Sequence, residues 1–328
     1  MPVITYREAL QSALREEMQR DETVFVMGEE IGVFEGSYKI TRGLIQEFGP
    51  KRVRETPISE EGFVGAGIGA AMLGLRPVVE IMTINFILVA IDQIINNAAK
   101  IRYMFGGEAT VPLVVRTPGG AGAQLTAQHS QSLEVFFAHI PGLKVLAPAT
   151  PYDAKGLLKA AIRDEDPVLF IETLTIYNTK GEVPEGDYEI PIGRADIKRE
   201  GTDISLISHS MMTLRCLEAA ERLAQEGISA EVVDLRSLRP LDMETVAASV
   251  NKTGRAVCVE EGWPTYGITA ELTARIQKAC FDALDAPVER VGGGEVPMPY
   301  AKPLERAVIP NSDKIYEAAK SVLRQSGR

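Results

Sequence analysis

The chain has 328 residues, of which 45% are hydrophobic and 24% are charged, and this composition excludes a disordered or fibrous protein. The length predicts about two domains of ~150 residues, each large enough for its own core. The net charge of -10 argues against non-specific binding to nucleic acid or to anionic membranes, and it allows a basic protein partner.

The cysteines and the N-terminus indicate the expected compartment. Cys216, Cys258 and Cys280 are far apart without a C-x-x-C motif, so we expect buried, reduced thiols and neither disulfides nor a zinc site. The first residues show no pattern typical of a signal peptide. The longest apolar run, 81–91, is too short to span a bilayer. We therefore expect a cytoplasmic protein with no membrane span.

Predicted strands and helices alternate through the N-terminal part of the sequence. Thr5 and Glu8 have the spacing of a capping box for the first helix. The elements predicted here are, in chain order, helix 6–20, strand 24–30, helix 41–49, helix 61–74, strand 76–82, helix 88–105, strand 111–117, strand 143–148, helix 150–163 and strand 167–172.

A second alternation follows a polar stretch that is rich in proline and glycine, which we interpret as a linker over 186–199. Its predicted elements are strand 203–210, helix 212–226, strand 230–238, helix 242–251, strand 255–261, helix 267–280, strand 287–293 and helix 312–325. The fold class is therefore α/β, with one parallel-sheet domain over 1–185 and another over 200–328.

Ligands of such sheets bind beyond the C-terminal ends of the strands. Three conspicuous polar features follow predicted strands: Gly28-Glu29-Glu30, Ile58-Ser59-Glu60, and the glycine-rich loop 118–131 with His129. The sequence therefore predicts that the functional groups lie at this edge.

The helix predicted over 61–74 is unusually rich in small residues. Gly65 and Gly69, like Ala66 and Ala70, lie four residues apart and therefore share a face of the helix. Glycine in a helix costs about 1 kcal/mol relative to alanine, so a helix with several glycines must gain close packing in return. We expect this helix to pack closely against another helix or another chain.

The string GAGIGA (65–70) matches the dinucleotide fingerprint G-x-G-x-x-A. That fingerprint must directly follow an apolar strand, whereas Pro57, Glu60 and Glu61 precede this string, so its context argues against nucleotide binding. Neither a P-loop motif nor a G-x-S-x-G motif occurs.

The sequence TPISEEGFVGAGIGAAMLG (56–74) resembles the pyrimidine-binding domain of thiamine diphosphate enzymes in the transketolase-like branch. Within that branch, the chain is similar to β subunits of the decarboxylating components of 2-oxo acid dehydrogenases, and best to those specific for pyruvate. VFVMGEEIG, EIMTINF, RTPGGAG, TAQHSQSLEVFFAHIPGLKVLAP, VVDLRSLRPLD and EVPMPYAKPLE extend the resemblance along nearly the whole chain. The resemblance implies pyruvate decarboxylation on thiamine diphosphate and acetyl transfer to a lipoyl group.

The resemblance also implies the site residues. Glu60 matches the carboxyl group that exchanges a proton with the pyrimidine N1′ and drives tautomerisation of the cofactor. Taken alone, Glu60 could equally cap the following helix. Glu29 matches a carboxylate near the cofactor, Phe86 matches the aromatic residue that stacks on the pyrimidine, and His129 matches an active-site histidine that exchanges protons with the substrate-derived intermediate or the lipoyl group.

A structural potassium site is implied at the end of helix 150–163. By position it falls on Leu113, Ala161, Ile162, Asp164 and Asp166, mostly through backbone carbonyls. Unpaired carbonyls at a helix end suit a hard cation. A helix end with solvated aspartates is the alternative.

The family's diphosphate motif, Gly-Asp-Gly, is absent, and the nearest string is Gly186-Asp187-Tyr188. This implies that an α subunit supplies the other half of the cofactor site and holds most of the Mg²⁺ coordination, in an α₂β₂ heterotetramer. The C-terminal domain would contact the second β subunit and bind the subunit-binding domain of the acyltransferase. The alternatives are a branched-chain 2-oxo acid or acetoin dehydrogenase β subunit, and a non-catalytic scaffold of the same fold.

Overall fold

The computed structural model describes residues 1–325, which group into two compact units. Unit 1 comprises residues 1–119 and 136–192, and unit 2 comprises residues 120–135 together with those from 193 onward. The segment 120–135 therefore groups with the C-terminal part of the chain, although the predicted domain boundaries at 185 and 200 assign it to the N-terminal part. Among residues 1–325, no helix combines the length and the apolar composition needed to cross a bilayer.

The strands are short and are distributed along the whole chain. They are β1 (Val3–Thr5), β2 (Val24–Gly28), β3 (Val53–Glu55), β4 (Arg76–Glu80), β5 (Val114–Gly119), β6 (Lys144–Leu146), β7 (Val168–Thr173), β8 (Lys180–Glu182), β9 (Asp196–Arg199), β10 (Ile204–Ser208), β11 (Ala230–Asp234), β12 (Ser237–Arg239), β13 (Ala256–Val259) and β14 (Glu289–Val291).

The helices alternate with the strands. They are α1 (Tyr6–Arg20), α2 (Leu44–Phe48), α3 (Glu60–Met72), α4 (Ala99–Met104), α5 (Thr126–His129), α6 (Glu134–Ala138), α7 (Pro151–Arg163), α8 (Met211–Gln225), α9 (Met243–Thr253), α10 (Ile268–Cys280), α11 (Lys302–Val308) and α12 (Ser312–Gln325). Short 3₁₀ turns occur at Phe86–Leu88, Leu174–Ile176 and Phe281–Ala283, and a π-helical segment spans Gln93–Ala98.

Six strands of unit 1 lie side by side in the order β6-β7-β5-β4-β2-β3, and each of these neighbouring pairs is parallel. Strands β1 and β8 pair antiparallel with each other in a separate two-stranded sheet. Every residue of β2 and β5 is buried, as expected for a parallel sheet covered on both faces. Gly28 at the end of β2 is in register with Glu55 of β3 and Glu80 of β4. The C-terminal ends of these three strands therefore lie together at one edge.

Unit 2 contains a sheet in the order β14-β13-β10-β11-β9. Its strands are parallel except for β9, which pairs antiparallel with β11. Strand β9 falls within the linker that the sequence predicts, where polar residues and glycine obscure a strand pattern. The two α/β sheets agree with the predicted architecture, with this edge strand as the exception.

Helix α1 begins as the sequence predicts. Thr5 caps the helix by accepting a hydrogen bond from the Glu8 backbone N–H at 3.2 Å, and the Glu8 carboxylate accepts from the Thr5 N–H at 2.7 Å. The helix packs against α7, where the fully buried Glu17 accepts a hydrogen bond from Arg163 at 2.6 Å. A local capping signal and a long-range ion pair therefore fix this helix.

The small residues of helix α3 lie in different environments on two of its faces. A Cβ added to Gly67 would lie 2.8 Å from Cγ2 of Val79, so this glycine allows the helix to pack tightly on β4. A Cβ added to Gly69 would meet nothing within 4 Å, and Gly62 and Ala66 on the same face are also exposed. One face therefore packs on the sheet of unit 1, and the other is uncovered in this chain.

The helix predicted over 88–105 has a different conformation. Residues Phe86–Leu88 form a 3₁₀ turn, Gln93–Ala98 form a π-helical segment, and α4 forms the α-helical end of this stretch. The side chain of Gln93 accepts a hydrogen bond from Asn97 at 3.1 Å and lies against Gly65 of α3. The apolar spacing of a π segment differs too little from that of an α-helix to be separated by sequence.

The two glycines of α3 give opposite predictions for the melting temperature of the chain purified on its own. Gly67→Ala is expected to destabilise the fold by about 1–3 kcal/mol, because the new methyl group must displace Val79. Gly69→Ala is the matched control and is expected to stabilise by up to about 1 kcal/mol through helix propensity. Thermal unfolding of both variants checks this, and equal effects would contradict the packing described here.

Candidate active site

Three of the predicted site residues follow the C-terminal ends of neighbouring parallel strands in unit 1. Glu29 comes directly after β2, Glu60 begins α3 after β3, and Phe86 follows β4. Because these strands are adjacent, the chain segments that carry the three residues leave the same edge of the sheet. This is the edge at which ligands of parallel sheets bind.

Glu60 is the first residue of α3 and is only 6% exposed. The N-cap position is Ser59, and no side-chain hydrogen bond caps this helix. Among residues 1–325, no hydrogen-bond donor or cation pairs with the Glu60 side chain within hydrogen-bonding or salt-bridge distance. The geometry therefore does not support the alternative in which Glu60 serves as the helix cap.

Glu29 is likewise buried, with 5% exposure, and its Oε1 atom has no hydrogen-bond partner. Burial raises the pKa of Glu29 to about 7, and the neighbouring charges of Glu60 and Glu30 contribute to the shift. At neutral pH this carboxyl group can therefore hold a proton beside Glu60. Two buried carboxyl groups without donors are costly unless a ligand supplies the missing hydrogen bonds.

Phe86 is half-buried and starts the 3₁₀ turn after β4. Its backbone N–H donates to the carbonyl of Thr83, and the side chain of the preceding Asn85 donates to the Thr83 hydroxyl at 2.7 Å. These bonds fix the direction in which the chain leaves the strand. The turn therefore holds an aromatic residue in a defined position at this edge.

His129 belongs to unit 2, as the last residue of the single-turn helix α5, and it is half-buried. Its segment is hydrogen-bonded to other parts of unit 2: the backbone N–H of Ala121 donates to Glu261, and those of Gly122 and Gln124 donate to Glu305. The structure thus brings Glu29, Glu60 and Phe86 to one edge of unit 1 and assigns His129 to the other unit.

The residues predicted to bind potassium lie around the C-terminal end of α7 and the start of β5, namely Leu113, Ala161, Ile162, Asp164 and Asp166. The carbonyl oxygens of Ile162 and Asp164 each lie 3.1 Å from the same nitrogen, Nη1 of Arg76. The carbonyl oxygens of two predicted potassium ligands therefore point to the same place, where the guanidinium group of Arg76 now lies. Each carbonyl oxygen retains a second lone pair.

The carboxylates of this cluster are engaged by basic side chains. Lys144 donates to Asp164 at 2.7 Å, and Arg102 donates to Asp166 at 2.5 Å. The pKa of Asp166 is lowered, because the hydrogen bond from Arg102 and the charge of Lys144 outweigh its partial burial. The solvated aspartates of the alternative prediction are therefore ion-paired in the structure, and backbone oxygens are what a bound ion would use.

Comparison with known proteins supports the domain composition. Residues 3–179 match the family model of the transketolase pyrimidine-binding domain, and residues 193–315 match that of the transketolase C-terminal domain. A split-gene transketolase, an inactive β4 tetramer, has the same fold, with a TM-score of 0.80 over 98% of this chain and 99% of its own at 24% identity. The predicted fold class is confirmed.

Curated relatives identify the branch. The chain is 53% identical to the pyruvate dehydrogenase E1 component subunit beta-1 of Arabidopsis thaliana, over 98% of this chain and 90% of the relative. It is 51% identical to the corresponding Rhizobium meliloti subunit over 98% and 70%, and 50% identical to the human one over 98% and 90%. The chain belongs to the family of pyruvate dehydrogenase E1 component β subunits. The predicted family is confirmed.

The predicted cytoplasmic location is wrong by the same comparison. The relatives from Arabidopsis, Dictyostelium and human are named as mitochondrial proteins, and bacterial relatives match at similar identity. The prediction depended on three reduced cysteines, which are indeed buried and unpaired. Reduced thiols indicate a reducing environment, and they do not distinguish one such compartment from another.

The sequence analysis missed a buried charge network in this family member. Arg116 of β5 is 1% exposed and donates to both carboxylate oxygens of Glu172 at 2.7 Å, and also to Glu80. Tyr177 donates to Glu172 at 2.6 Å. Although burial opposes it, the charges of Glu172 and Glu80 raise the pKa of Arg116. The signal available in the sequence was a charged residue near the end of each apolar strand pattern, namely Glu80, Arg116 and Glu172.

Unit 2 contains a second buried cluster that was missed. His209 is 4% exposed and lies 3.2 Å from the carboxylate of Glu134. Burial alone would lower the pKa of His209, but the hydrogen bond and the charges of Glu134, Glu260 and Asp234 raise it. Burial also raises the pKa of Glu261 to about 7. No local sequence pattern joins these positions.

Glu29→Gln is expected to raise the melting temperature of the chain in a pH-dependent way. The folded Glu29 titrates near 7 and an unperturbed carboxyl near 4.5, so its ionisation lowers stability as pH rises through that range. The gain of the variant over wild type should be small at about pH 5 and complete above about pH 7. The exposed neighbour Glu61, changed to Gln, is the control. A gain independent of pH would contradict the raised pKa.

Proposed function

We propose that this chain, together with an α subunit, carries out the oxidative decarboxylation of pyruvate on thiamine diphosphate and the acetylation of the lipoyl group of dihydrolipoyl acetyltransferase. One observation carries the proposal beyond family membership. Two buried carboxyl groups, Glu29 and Glu60, lie at the ligand-binding edge of a parallel sheet, and within residues 1–325 no donor is bonded to Oε1 of Glu29 or to the Glu60 side chain.

These residues fit the pyrimidine part of the cofactor. Glu60 would accept from, or donate to, a ring nitrogen, and Glu29, whose pKa is raised to about 7, would be partly protonated beside it near neutral pH. Phe86 would supply an apolar, aromatic wall on the turn after β4. When bound, thiamine diphosphate supplies the nucleophilic carbon and the electron sink for decarboxylation.

The role of Glu60 follows from its burial. A carboxyl group that is held away from water exchanges its proton with the one ring nitrogen in reach, and the proton is not lost to solvent. The neighbouring Glu29 raises the cost of leaving both groups ionised, which favours a shared proton. A proton shared in this way would be available to a ring nitrogen bound beside the two carboxyl groups.

An α subunit is the partner that best fits the uncovered face of α3. Gly62, Ala66, Gly69 and Leu73 lie on that face at helical spacing and are exposed, Leu73 by 87%. Exposed apolar and small residues on one helix face favour close packing against another chain. The α subunit would hold the diphosphate and Mg²⁺ in an α₂β₂ heterotetramer, because this sequence lacks Gly-Asp-Gly.

Unit 2 would contact the second β subunit and bind the subunit-binding domain of the acyltransferase. It exposes large apolar side chains, including Tyr266 at 90%, Tyr300 at 69% and Phe281 at 68%. Surfaces of this kind mark protein contacts. The net charge of -10 suits a basic partner domain.

A structural potassium ion at the end of α7 is part of the proposal. The convergence of the Ile162 and Asp164 carbonyls supports it, since hard cations prefer oxygen ligands. Lys144 and Arg102 engage the nearby carboxylates, so the ion would be held by backbone oxygens and would share them with Arg76.

Glu60→Gln should abolish most of the activity while leaving the fold intact. The amide cannot exchange a proton, so we expect a loss of about 10²- to 10⁴-fold in acetylation of a lipoyl domain by the co-purified α/β pair. Glu61→Gln is the control, because Glu61 is exposed in the same helix turn. Full activity of Glu60→Gln would support a scaffold subunit in place of a catalytic one.

The same assay tests the substrate. The wild-type pair should prefer pyruvate over 2-oxoisovalerate and acetoin, and omission of the α subunit should remove the activity. A large preference for either of the other substrates would assign the chain to a branched-chain or acetoin dehydrogenase.

Potassium should stabilise the protein specifically. At equal ionic strength, the melting temperature of the purified protein is expected to be higher in KCl than in NaCl or choline chloride. The difference should grow with the KCl concentration, because a bound ion stabilises the folded state. Equal melting temperatures in the three salts would refute the site.

A further inference from the structure

The backbone of residues 121–124 is held by two carboxylates from distant parts of unit 2. The N–H groups of Gly122 and Gln124 both donate to Oε1 of Glu305, each at 3.0 Å. The N–H of Ala121 donates to Oε1 of Glu261 at 2.5 Å. The N–H groups of Gly122 and Gln124 turn toward one carboxylate and form a concave binding site for it, so the bound anion is a side chain of the same chain.

Glu305 is well placed to serve this purpose. It is 2% exposed and lies in α11, where its backbone carbonyl accepts a hydrogen bond from Ile309. Among residues 1–325, no basic side chain forms a salt bridge with Glu305. The dipoles of the loop N–H groups are therefore the interactions that compensate this buried charge.

The segment is also closed at its other end. The N–H of Gly120 donates to the carbonyl of Gln131 at 3.1 Å, which joins the two ends of a loop that contains α5 and His129. Beyond Gln131, Glu134 is paired with the buried His209. His129 thus lies on a closed loop that is anchored on both sides within unit 2.

The loop does not favour this conformation by itself. Gln124 and Thr126 have φ of 57° and 63°, a left-handed backbone that costs energy for side chains other than glycine. Helix α5 has four residues, which is too short for a helix to be stable alone. Contacts from outside the loop must therefore maintain it.

We propose that Glu305, assisted by Glu261, is a positioning residue that fixes residues 121–124 and thereby places His129 for proton exchange. This inference rests on the catalytic role proposed for His129. A general acid or base works only within hydrogen-bonding reach of its target, and small displacements cost much of its effect. The carboxylate of Glu305 acts on the reaction through the loop, without contact to the reacting atoms.

Hydrogen–deuterium exchange in the assembled α/β enzyme tests the anchoring directly. In Glu305→Ala, the amides of residues 121–129 should exchange on the order of tenfold faster or more, because two charge-assisted bonds are lost. Glu305→Gln retains an acceptor oxygen without the charge and should give an intermediate result. The control is Glu295→Ala, which removes a carboxylate that accepts the N–H of Thr265, at 3.2 Å, in another loop of unit 2. Unchanged exchange in Glu305→Ala would overturn the proposal.

A double-mutant cycle tests the connection with His129. Glu305→Ala should lower kcat about 10- to 100-fold with little change in the KM for pyruvate. In the His129→Ala background it should cause no further loss, because the group that it positions is already gone. Multiplied losses would mean that Glu305 acts independently of His129, and the proposal would fail. Full activity of His129→Ala alone would instead refute the proposed role of His129, while the exchange experiment still decides whether Glu305 anchors the loop.

Discussion

Two carboxyl groups buried side by side, with no hydrogen-bond donor for them among residues 1–325, are the constraint on which the site of unit 1 depends. Glu29 and Glu60 are each at most 6% exposed, and burial together with the nearby charge of Glu60 raises the pKa of Glu29. Such a pair is costly in a fold that serves only stability. The cost is explained if a ligand brings hydrogen-bond donors, and the pyrimidine ring expected in this family does so. The absence of a side-chain cap bond at the start of α3 supports the same interpretation, because the Glu60 carboxyl group is not used as a hydrogen-bonding cap.

The paired and unpaired carboxylates of unit 1 lie at the same strand ends and differ in their partners. Glu80 is the last residue of β4, and Glu172 is the residue before the last in β7. Both carboxylates bind Arg116, so their charges are compensated within the fold. Glu29 follows β2 and Glu60 follows β3, in segments that leave the sheet. Within residues 1–325, neither carboxylate forms a salt bridge with a basic side chain. A buried ion network below a set of unpaired acids gives a rigid base for groups that must remain available to a ligand.

The chain divides its functional groups between two units. Residues 120–135 follow β5 of unit 1 and yet group with unit 2. There, the carboxylates of Glu261, just after β13, and of Glu305, in α11, accept hydrogen bonds from their backbone. A loop with left-handed residues and a one-turn helix has little stability of its own. The geometry of His129 is therefore set by residues that are far from it in sequence, and the chemistry of this segment depends on the integrity of the C-terminal unit.

The sequence by itself determined the family, the alternation of strands and helices, and the start of α1, because motifs, periodicity and a capping box between Thr5 and Glu8 are local signals. The predicted strands also placed Glu29, Glu60 and the loop with His129 beyond strand ends, whereas Phe86 was identified through the family resemblance. Only the tertiary structure decided which glycine of α3 packs on Val79, how residues 93–98 wind, and that Glu305 binds the loop around Gly122. Glu305 and Gly122 are 183 residues apart, and no local pattern records a contact at that separation. The predicted compartment was wrong because reduced cysteines indicate a reducing environment and do not identify the compartment.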